Sequence, residues 1–294
     1  MYDYQTLTRD AEALSTRYEC CRLSSAGTSL CGRSLHMLTI GYGEIPILYA
    51  GAFHGLEWIT AAMLYHFCRR LCQGEESGLT VYGTPVRPLL RKITFYCIPM
   101  VNPDGVEISL HGESSAGKYA SVSAGKSHCW QANARGVDLN HNFDAGWHVL
   151  REMEQNAGIT GPGPTRYGGH FPESEPESAS IAALCRQVPF TLAAAFHTQG
   201  QEIYWKYGEH TPDISREIAK KMAKASGYCM AEPESLASLG GFKDWFIDYF
   251  HRPAFTIEAG KGKNPLPYSQ LTSIEGCLFP LMVEGLLAGA ELRC

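Results

Sequence analysis

Short apolar segments that end beside a polar residue recur along this chain, and helix-like segments separate them. The apolar segments cover residues 45–50, 92–99, 190–196 and 253–258. Strands that alternate with helices build a mainly parallel sheet, because each crossover helix packs on one of its faces. The sequence therefore predicts an α/β fold with a mixed, mostly parallel, twisted sheet and helices on both faces.

We expect a single domain over residues 1–294, because no linker or internal repeat divides the chain. Further elements are predicted as short strands within 20–40 and as helices at 3–18, 54–74, 174–185, 213–226 and 275–290. Ser174 and Glu177 have the spacing of a capping box at the start of one helix. The polar, Gly- and Ser-rich stretch 106–128 is predicted to be a surface loop.

Polar residues follow the predicted strands at one edge of the sheet, where ligands bind in open α/β sheets. These residues are His54, Asn102, His197 and Glu258. His54 and Glu57 stand three residues apart at a helix start and so share one face. Zinc hydrolases use two histidines and a carboxylate as ligands, which makes His197 the candidate third ligand. Glu258 ends an apolar strand, where a carboxylate is costly to bury without a function, and is a candidate general base.

Each of these signals has an ordinary structural alternative. A second His-x-x-Glu occurs at His170 and Glu173, where Pro172 and two preceding glycines indicate a loop. A lone histidine at a strand edge is more often a satisfied structural residue than a ligand. A metal site is favoured over these alternatives because four polar residues fall at neighbouring strand ends.

Composition narrows the classes of function. The net charge of −5 and a pI near 6.1 argue against nucleic-acid binding, which needs a basic face. No apolar run has the length of a membrane span, and the polar N-terminal segment lacks a signal-peptide core. Eleven irregularly spaced cysteines without a Cys-x-x-Cys pair indicate free thiols rather than disulfides or a thiolate zinc site. A cytoplasmic location is therefore expected.

With these residues in view, the chain resembles the zinc carboxypeptidases of the carboxypeptidase A type (peptidase family M14). The resemblance rests on ordered motifs at 27–33, 54–60, 102–105 and 136–143, followed by His197 and Glu258. It implies a single zinc peptidase domain with one zinc ion held by His54, Glu57 and His197. It further implies that Glu258 is the general base for hydrolysis of an amide bond, and that Asn140 helps to hold a substrate carboxylate.

The chain departs from ordinary carboxypeptidases at three positions. His141 stands where that family has an arginine that clamps the substrate carboxylate, and a histidine clamp is weaker and pH-dependent. Gln131 stands where a further arginine stabilises the oxyanion, with Arg135 nearby but out of register. Leu236 stands where that family has a tyrosine ahead of the Gly-Gly turn. These departures argue against simple removal of C-terminal residues, and both Gln131 and Arg135 remain candidate substrate contacts.

Within the family, the chain is most similar to the γ-D-glutamyl-diamino acid endopeptidases of bacterial cell-wall peptide turnover. The motifs that carry this similarity lie at 130–140, 167–169, 174–177, 241–245 and 256–267. It implies cleavage between γ-D-Glu and meso-diaminopimelate in a soluble muropeptide. Lys243 lies in the specificity segment and would pair with the extra carboxylate of diaminopimelate; the alternative is a solvated loop lysine.

Three other functions stay open at this point. One is a metallocarboxypeptidase that removes C-terminal residues from ordinary peptides. Another is a hydrolase of small acyl-amino acids with the same zinc ligands. The third, of a different class, is a catalytically inactive homologue that binds cell-wall peptides.

Overall fold

The computed structural model describes residues 1–232 and 239–292, which contain one eight-stranded mixed sheet and a separate two-stranded hairpin. The strands of the large sheet are β1 (Cys21–Thr28), β2 (Ser34–Gly41), β3 (Ile45–Gly51), β6 (Ile93–Ile98), β7 (Leu192–His197), β8 (Glu202–Tyr204), β9 (Cys229–Ala231) and β10 (Ala254–Glu258). The hairpin pairs β4 (Thr80–Val81) with β5 (Thr84–Pro85).

The large sheet has the strand order β1-β2-β6-β3-β7-β10-β8-β9. Parallel pairs join β6 to β3, β3 to β7, β7 to β10 and β8 to β9. The other neighbours in the described sheet are antiparallel. This arrangement confirms the predicted mixed sheet with a parallel centre.

Ten α-helices within the described residues accompany the strands. They are α1 (Tyr4–Arg17), α2 (Ile59–Ser77), α3 (Val86–Lys92), α4 (Pro103–His111), α5 (Ala120–Ser123), α6 (Trp147–Asn156), α7 (Pro176–Gln187), α8 (Ile214–Ser226), α9 (Phe242–Phe250) and α10 (Leu271–Glu291). The helix predicted from residue 54 begins instead with a short 3-10 turn at Gly55–Glu57 and becomes α-helical at Ile59.

The central strands are buried on both faces because their side chains alternate between two apolar layers. On β3, Ile47 and Tyr49 join one hydrophobic cluster, whereas Leu48 and Ala50 join the other. The same alternation on β7 places Ala194 in the first layer and its neighbours in the second. The apolar run that predicted these strands therefore reflects two covered faces.

The register of the parallel strands brings their carboxyl ends together. Glu258 of β10 pairs with His197 of β7, and Gly51 of β3 pairs with Phe196. The chain that leaves β3 reaches His54 three residues after Gly51. The predicted strand-end residues therefore lie at one edge of the sheet.

The stretch 106–128 is largely helical, so the predicted surface loop is wrong. It contains the end of α4, a 3-10 segment at Glu113–Tyr119, α5 and a 3-10 turn at Ser127–Cys129. The turn-forming residues 102–105 that precede this stretch begin helix α4. Asn102 Oδ1 caps the helix by accepting a hydrogen bond from Gly105 N at 2.8 Å, and Pro103 occupies the first turn. Proline is tolerated there because its missing N–H has no partner to lose.

The predicted capping box at Ser174 is also wrong. Helix α7 starts at Pro176 with Glu175 as its N-cap, and no side chain caps it. The Ser174 hydroxyl instead donates to Glu175 Oε1 at 2.9 Å. Glu177 is buried and accepts a hydrogen bond from Leu30 N at 3.0 Å. Proline at the first helical position fixes Glu175 as the N-cap, one residue later than the capping box requires.

The last helix meets the length of a membrane span, contrary to expectation. By length and composition alone, the helix Tyr268–Glu291 could span a membrane. However, 56% of its most apolar stretch is buried inside the protein. Tyr49 Oη on β3 donates to Met282 O at 2.8 Å, and Gly285 lies against the Tyr49 ring. The apolar composition of this helix thus reflects its place in the core.

The cysteines in the described part of the chain are all free thiols, as their irregular spacing predicts. Most are buried, and only Cys129 and Cys229 are exposed.

Candidate active site

Two histidines and a glutamate converge at the carboxyl edge of the sheet. Glu57 Oε1 lies 3.0 Å from His54 Nδ1, and Glu57 Oε2 lies 3.1 Å from His197 Nδ1. The two Nδ1 atoms are 3.3 Å apart. Zinc held tetrahedrally at 2.0–2.1 Å by two nitrogens would set them about 3.3 Å apart. The three side chains therefore have the spacing of zinc ligands.

Buried carboxylates set the charge state of this cluster. Burial opposes the charged form of Glu57, but His54 and His197 outweigh it and lower the pKa of Glu57 to about 2. Burial likewise lowers the pKa of His54, yet Glu57 and Asp138 raise it well above its ordinary value. A carboxylate that stays ionised between two imidazoles is a suitable anionic ligand for a divalent metal.

Asp138 contacts the side of the His54 ring that faces away from Glu57, a contact that the sequence did not reveal. Its Oδ1 lies 3.0 Å from His54 Nε2. A carboxylate at that nitrogen holds the Nε2 proton, so Nδ1 is the nitrogen at which a metal can replace a proton. Although burial opposes it, the charges of His54 and His141 hold the pKa of Asp138 well below its ordinary value. The only sequence signal was that Asp138 lies within the motif at 136–143.

Glu258 stands beside the cluster and lines the same cleft. It ends β10 next to His197, and its carboxylate has no hydrogen bond within the described residues. Burial and the nearby charge of Glu57 raise the pKa of Glu258 well above its ordinary value. A carboxyl of raised pKa in a cleft is a candidate general base.

Two connected spaces open from this cluster. The enclosed cavity has a volume of about 160 Å³ and is lined by His54, His197 and Glu258 together with Asn140, His141, Lys243 and others. The open groove, of about 1100 Å³, also reaches Glu258 and extends along Cys129, Ile159, Lys263 and Asn264. Gln131, Thr165, Arg166 and Tyr204 line both spaces. A substrate can therefore extend to either side of the cluster.

Asn140 and Gln131 each present an amide N–H₂ group to the enclosed cavity. Asn140 Oδ1 accepts a hydrogen bond from Phe242 N at 3.1 Å, which leaves its amide nitrogen as a donor. Gln131 Oε1 accepts from the Thr165 hydroxyl at 2.9 Å, with the same consequence. Both residues thus line the cavity beside the cluster, and their contacts with a substrate carboxylate or oxyanion stay predictions.

His141 also lines the enclosed cavity, with one ring nitrogen committed to the protein. Its Nδ1 lies 2.9 Å from Glu154 Oε1 and 3.2 Å from Arg166 O, two acceptors that place the proton on Nδ1. Burial lowers the pKa of His141. The ring therefore has Nε2 left for a ligand.

Lys243 is a buried helix residue rather than a solvated loop lysine. It lies in the first turn of α9, is 3% exposed, and lines the enclosed cavity. Its Nζ donates to Lys206 O at 2.9 Å and pairs with Asp244. An ammonium has three donors, so one remains for a ligand.

Two other residues were singled out in the sequence, Arg135 and Leu236. Arg135 lines neither the enclosed cavity nor the open groove, and its Nη1 lies 3.5 Å from Glu175 Oε1. Its predicted contact with substrate stays a prediction. Leu236 lies outside the described residues.

Comparison with known proteins agrees with this geometry. A family model described as zinc carboxypeptidase matches residues 7–275. The chain is 35% identical over 292 residues to γ-D-glutamyl-L-diamino acid endopeptidase 1 of Lysinibacillus sphaericus, spanning 97% of this chain and 72% of that protein. It is 27% identical over 271 residues to bovine carboxypeptidase B, spanning 84% of this chain and 60% of that protein.

Solved structures share the fold. Bovine thrombin-activatable fibrinolysis inhibitor, solved with a tick carboxypeptidase inhibitor, matches with a TM-score of 0.77 at 20% identity and covers 98% of this chain and 96% of its own. Murein-tripeptide amidase MpaA of Escherichia coli O157 matches with a TM-score of 0.54 at 22% identity. The match covers 90% of this chain and 91% of that protein. The predicted fold class is confirmed.

Proposed function

The chain belongs to the zinc carboxypeptidase family and is a metallopeptidase, and from that premise we propose that it cleaves the γ-D-Glu–meso-diaminopimelate bond of a cell-wall peptide. The observation that carries the choice of substrate is the 35% identity to a γ-D-glutamyl-L-diamino acid endopeptidase over nearly the whole chain. The cations and amides of the enclosed cavity support it, because diaminopimelate brings an extra carboxylate.

We propose that His54, Glu57 and His197 hold one zinc ion. The support is the 3.3 Å spacing of the two Nδ1 atoms and the ionised state of Glu57. When bound, zinc is a Lewis acid that polarises a carbonyl and lowers the pKa of water. Asp138 keeps the His54 ring in the orientation that this binding needs.

The proton transfers fall to Glu258. Its raised pKa and free carboxylate suit a group that takes a proton from the attacking water and then gives it to the leaving amine. The amide nitrogens of Gln131 and Asn140 are the donors available for developing negative charge and for a substrate carboxylate. Lys243, with its remaining donor, would bind the side-chain carboxylate of diaminopimelate.

The departures from ordinary carboxypeptidases support this substrate over a plain C-terminal residue. A neutral Gln131 and a histidine at 141 make a weaker clamp for a lone carboxylate than two arginines. The likeness to carboxypeptidase B favours the alternative, a carboxypeptidase acting on ordinary peptides.

Mass spectrometry of reaction products distinguishes the proposed endopeptidase from a carboxypeptidase that acts on ordinary peptides. The zinc-loaded protein is incubated with L-Ala-γ-D-Glu-meso-diaminopimelate and, separately, with an ordinary peptide bearing a free C-terminus. We expect L-Ala-D-Glu and free diaminopimelate, with slow or absent trimming of the ordinary peptide, and neither reaction with Glu258→Gln. Rapid trimming of the ordinary peptide with an intact muropeptide would establish the carboxypeptidase instead.

A further inference from the structure

Arg166 occupies the boundary between the two spaces of the cleft. It lines the enclosed cavity together with His54 and Glu258, and it also lines the open groove. Lys243 lines only the enclosed cavity, and Lys263 lines only the open groove. Arg166 is therefore the arginine that a substrate passes as it crosses from one space to the other.

The backbone of Arg166 is held by residues of the active site itself. Its φ is +66°, a left-handed conformation that costs free energy for a side chain other than glycine. Its N–H donates to Asp138 Oδ2 at 2.8 Å, and its carbonyl accepts from His141 Nδ1 at 3.2 Å. The preceding Thr165 hydroxyl is fixed by Gln131 Oε1 at 2.9 Å. The strained conformation is thus maintained by the motif that supports the zinc ligands.

The guanidinium of Arg166 is available to a ligand. Other arginines near buried carboxylates are paired: Arg33 lies 2.6 Å from Asp104, and Arg151 pairs with Glu154. Arg166 is exposed, and in the two described stretches, 1–232 and 239–292, its side chain has neither ion pair nor hydrogen bond. A cation that lines a cleft without an internal partner is placed to bind an anion.

We propose that Arg166 binds the free α-carboxylate of a γ-linked glutamyl residue on the acyl side of the scissile bond. This inference rests on the proposed function and adds a basis for selecting the γ linkage. In a γ-glutamyl amide the α-carboxylate stays ionised a few bonds from the scissile carbonyl, whereas an ordinary peptide has a neutral amide there. Lys243 and His141 face the leaving residue in the enclosed cavity, so the acyl residue lies toward the groove, beside Arg166. A guanidinium can bind that carboxylate with two parallel hydrogen bonds.

The test compares two substrates that differ only at this carboxylate. They are L-Ala-γ-D-Glu-meso-diaminopimelate and the same peptide with the α-carboxylate converted to a carboxamide. The zinc-loaded wild type should lose about 10- to 100-fold in kcat/KM on amidation. Arg166→Gln should lose a similar factor on the acid but little on the amide, chiefly through KM. Lys263→Gln, which removes another groove cation, should discriminate between the substrates as the wild type does.

Binding gives a second readout that does not need turnover. In the Glu258→Gln background, calorimetry should show that the acid peptide binds more tightly than the amide, and that Arg166→Gln removes this difference. An equal loss on both substrates would mean that Arg166 acts on a group they share, such as the oxyanion, and would overturn the inference. Cleavage of both substrates by the wild type at the same rate would overturn it while leaving the proposed function intact. Cleavage of neither, with neither bound, would overturn both.

Discussion

Asp138 Oδ1 lies 3.0 Å from His54 Nε2, on the side of the imidazole opposite to the Nδ1 that faces Glu57. Asp138 also accepts hydrogen bonds from Asn140 N at 3.1 Å and from Arg166 N at 2.8 Å. One buried carboxylate therefore orients a proposed metal ligand and anchors two segments that line the cleft. Loss of its charge should affect metal affinity first.

Asp138→Asn should weaken zinc binding by about 10- to 100-fold, because an amide can neither hold the His54 tautomer by charge nor raise its basicity. Competition with a chelator of known affinity measures this. Asp144→Asn removes the same charge from a neighbouring exposed position and should leave the affinity unchanged. Equal zinc affinity of Asp138→Asn and wild type would show that the contact does not support the ligand.

Glu258→Gln should retain zinc and lose about 10²- to 10⁴-fold in kcat, since the amide cannot accept the proton. Zinc content by mass spectrometry and turnover of the γ-D-Glu peptide are measured on the same sample. Retention of most activity would remove Glu258 from the mechanism.

Lys243→Met alone should destabilise the protein by about 3–5 kcal/mol, because it leaves the buried carboxyl of Asp244 unpaired. Lys243→Met/Asp244→Asn should recover much of this stability. Urea unfolding measures both. A single variant as stable as the wild type would mean that the ion pair contributes little.

The same double variant tests the role of Lys243 in specificity. It should lose about 10-fold or more in kcat/KM on the diaminopimelate peptide but not on the analogue with L-Lys, which lacks the extra carboxylate. Equal losses on the two peptides would contradict recognition of that carboxylate by Lys243.

Glu177 should make stability depend on pH. Burial raises its pKa from 4.5 to about 8 in the folded protein. The unfolded chain therefore releases this proton first, and the contribution present below about pH 4.5 is lost as the pH rises to about 8. The slope from this group is at most about 1.4 kcal/mol per pH unit. Glu177→Gln should flatten the profile of the free energy of unfolding, whereas Glu209→Gln, an exposed control, should not. Identical profiles would contradict the raised pKa.

The sequence predicted the site better than its surroundings. Strand-end residues such as His54, His197 and Glu258 converge because parallel strands share a carboxyl edge, so their order along the chain was sufficient. Buried strands were recognisable because two covered faces demand continuous apolar residues.

The features that the sequence did not predict depend mainly on contacts between segments distant in the chain. The helix that begins at Pro103 was concealed by turn-forming residues that serve as its cap. Arg166 lies in a Gly- and Pro-rich loop without periodicity, and its position follows from hydrogen bonds to Asp138 and His141, 28 and 25 residues away. The burial of Lys243 follows from its contacts with Lys206 O and Asp244, which the sequence does not show.

Anomalous diffraction at the zinc edge, from crystals of the zinc-loaded protein, tests the central claim most directly. A single strong peak is expected within about 2.0–2.2 Å of Nδ1 of His54, Nδ1 of His197 and a carboxylate oxygen of Glu57. A second group that could hold a metal, Asp3, Glu107 and His111, lies at the surface and should remain without zinc. A peak only at that group, or none at either, would contradict the assignment of His54, Glu57 and His197 as the catalytic zinc site.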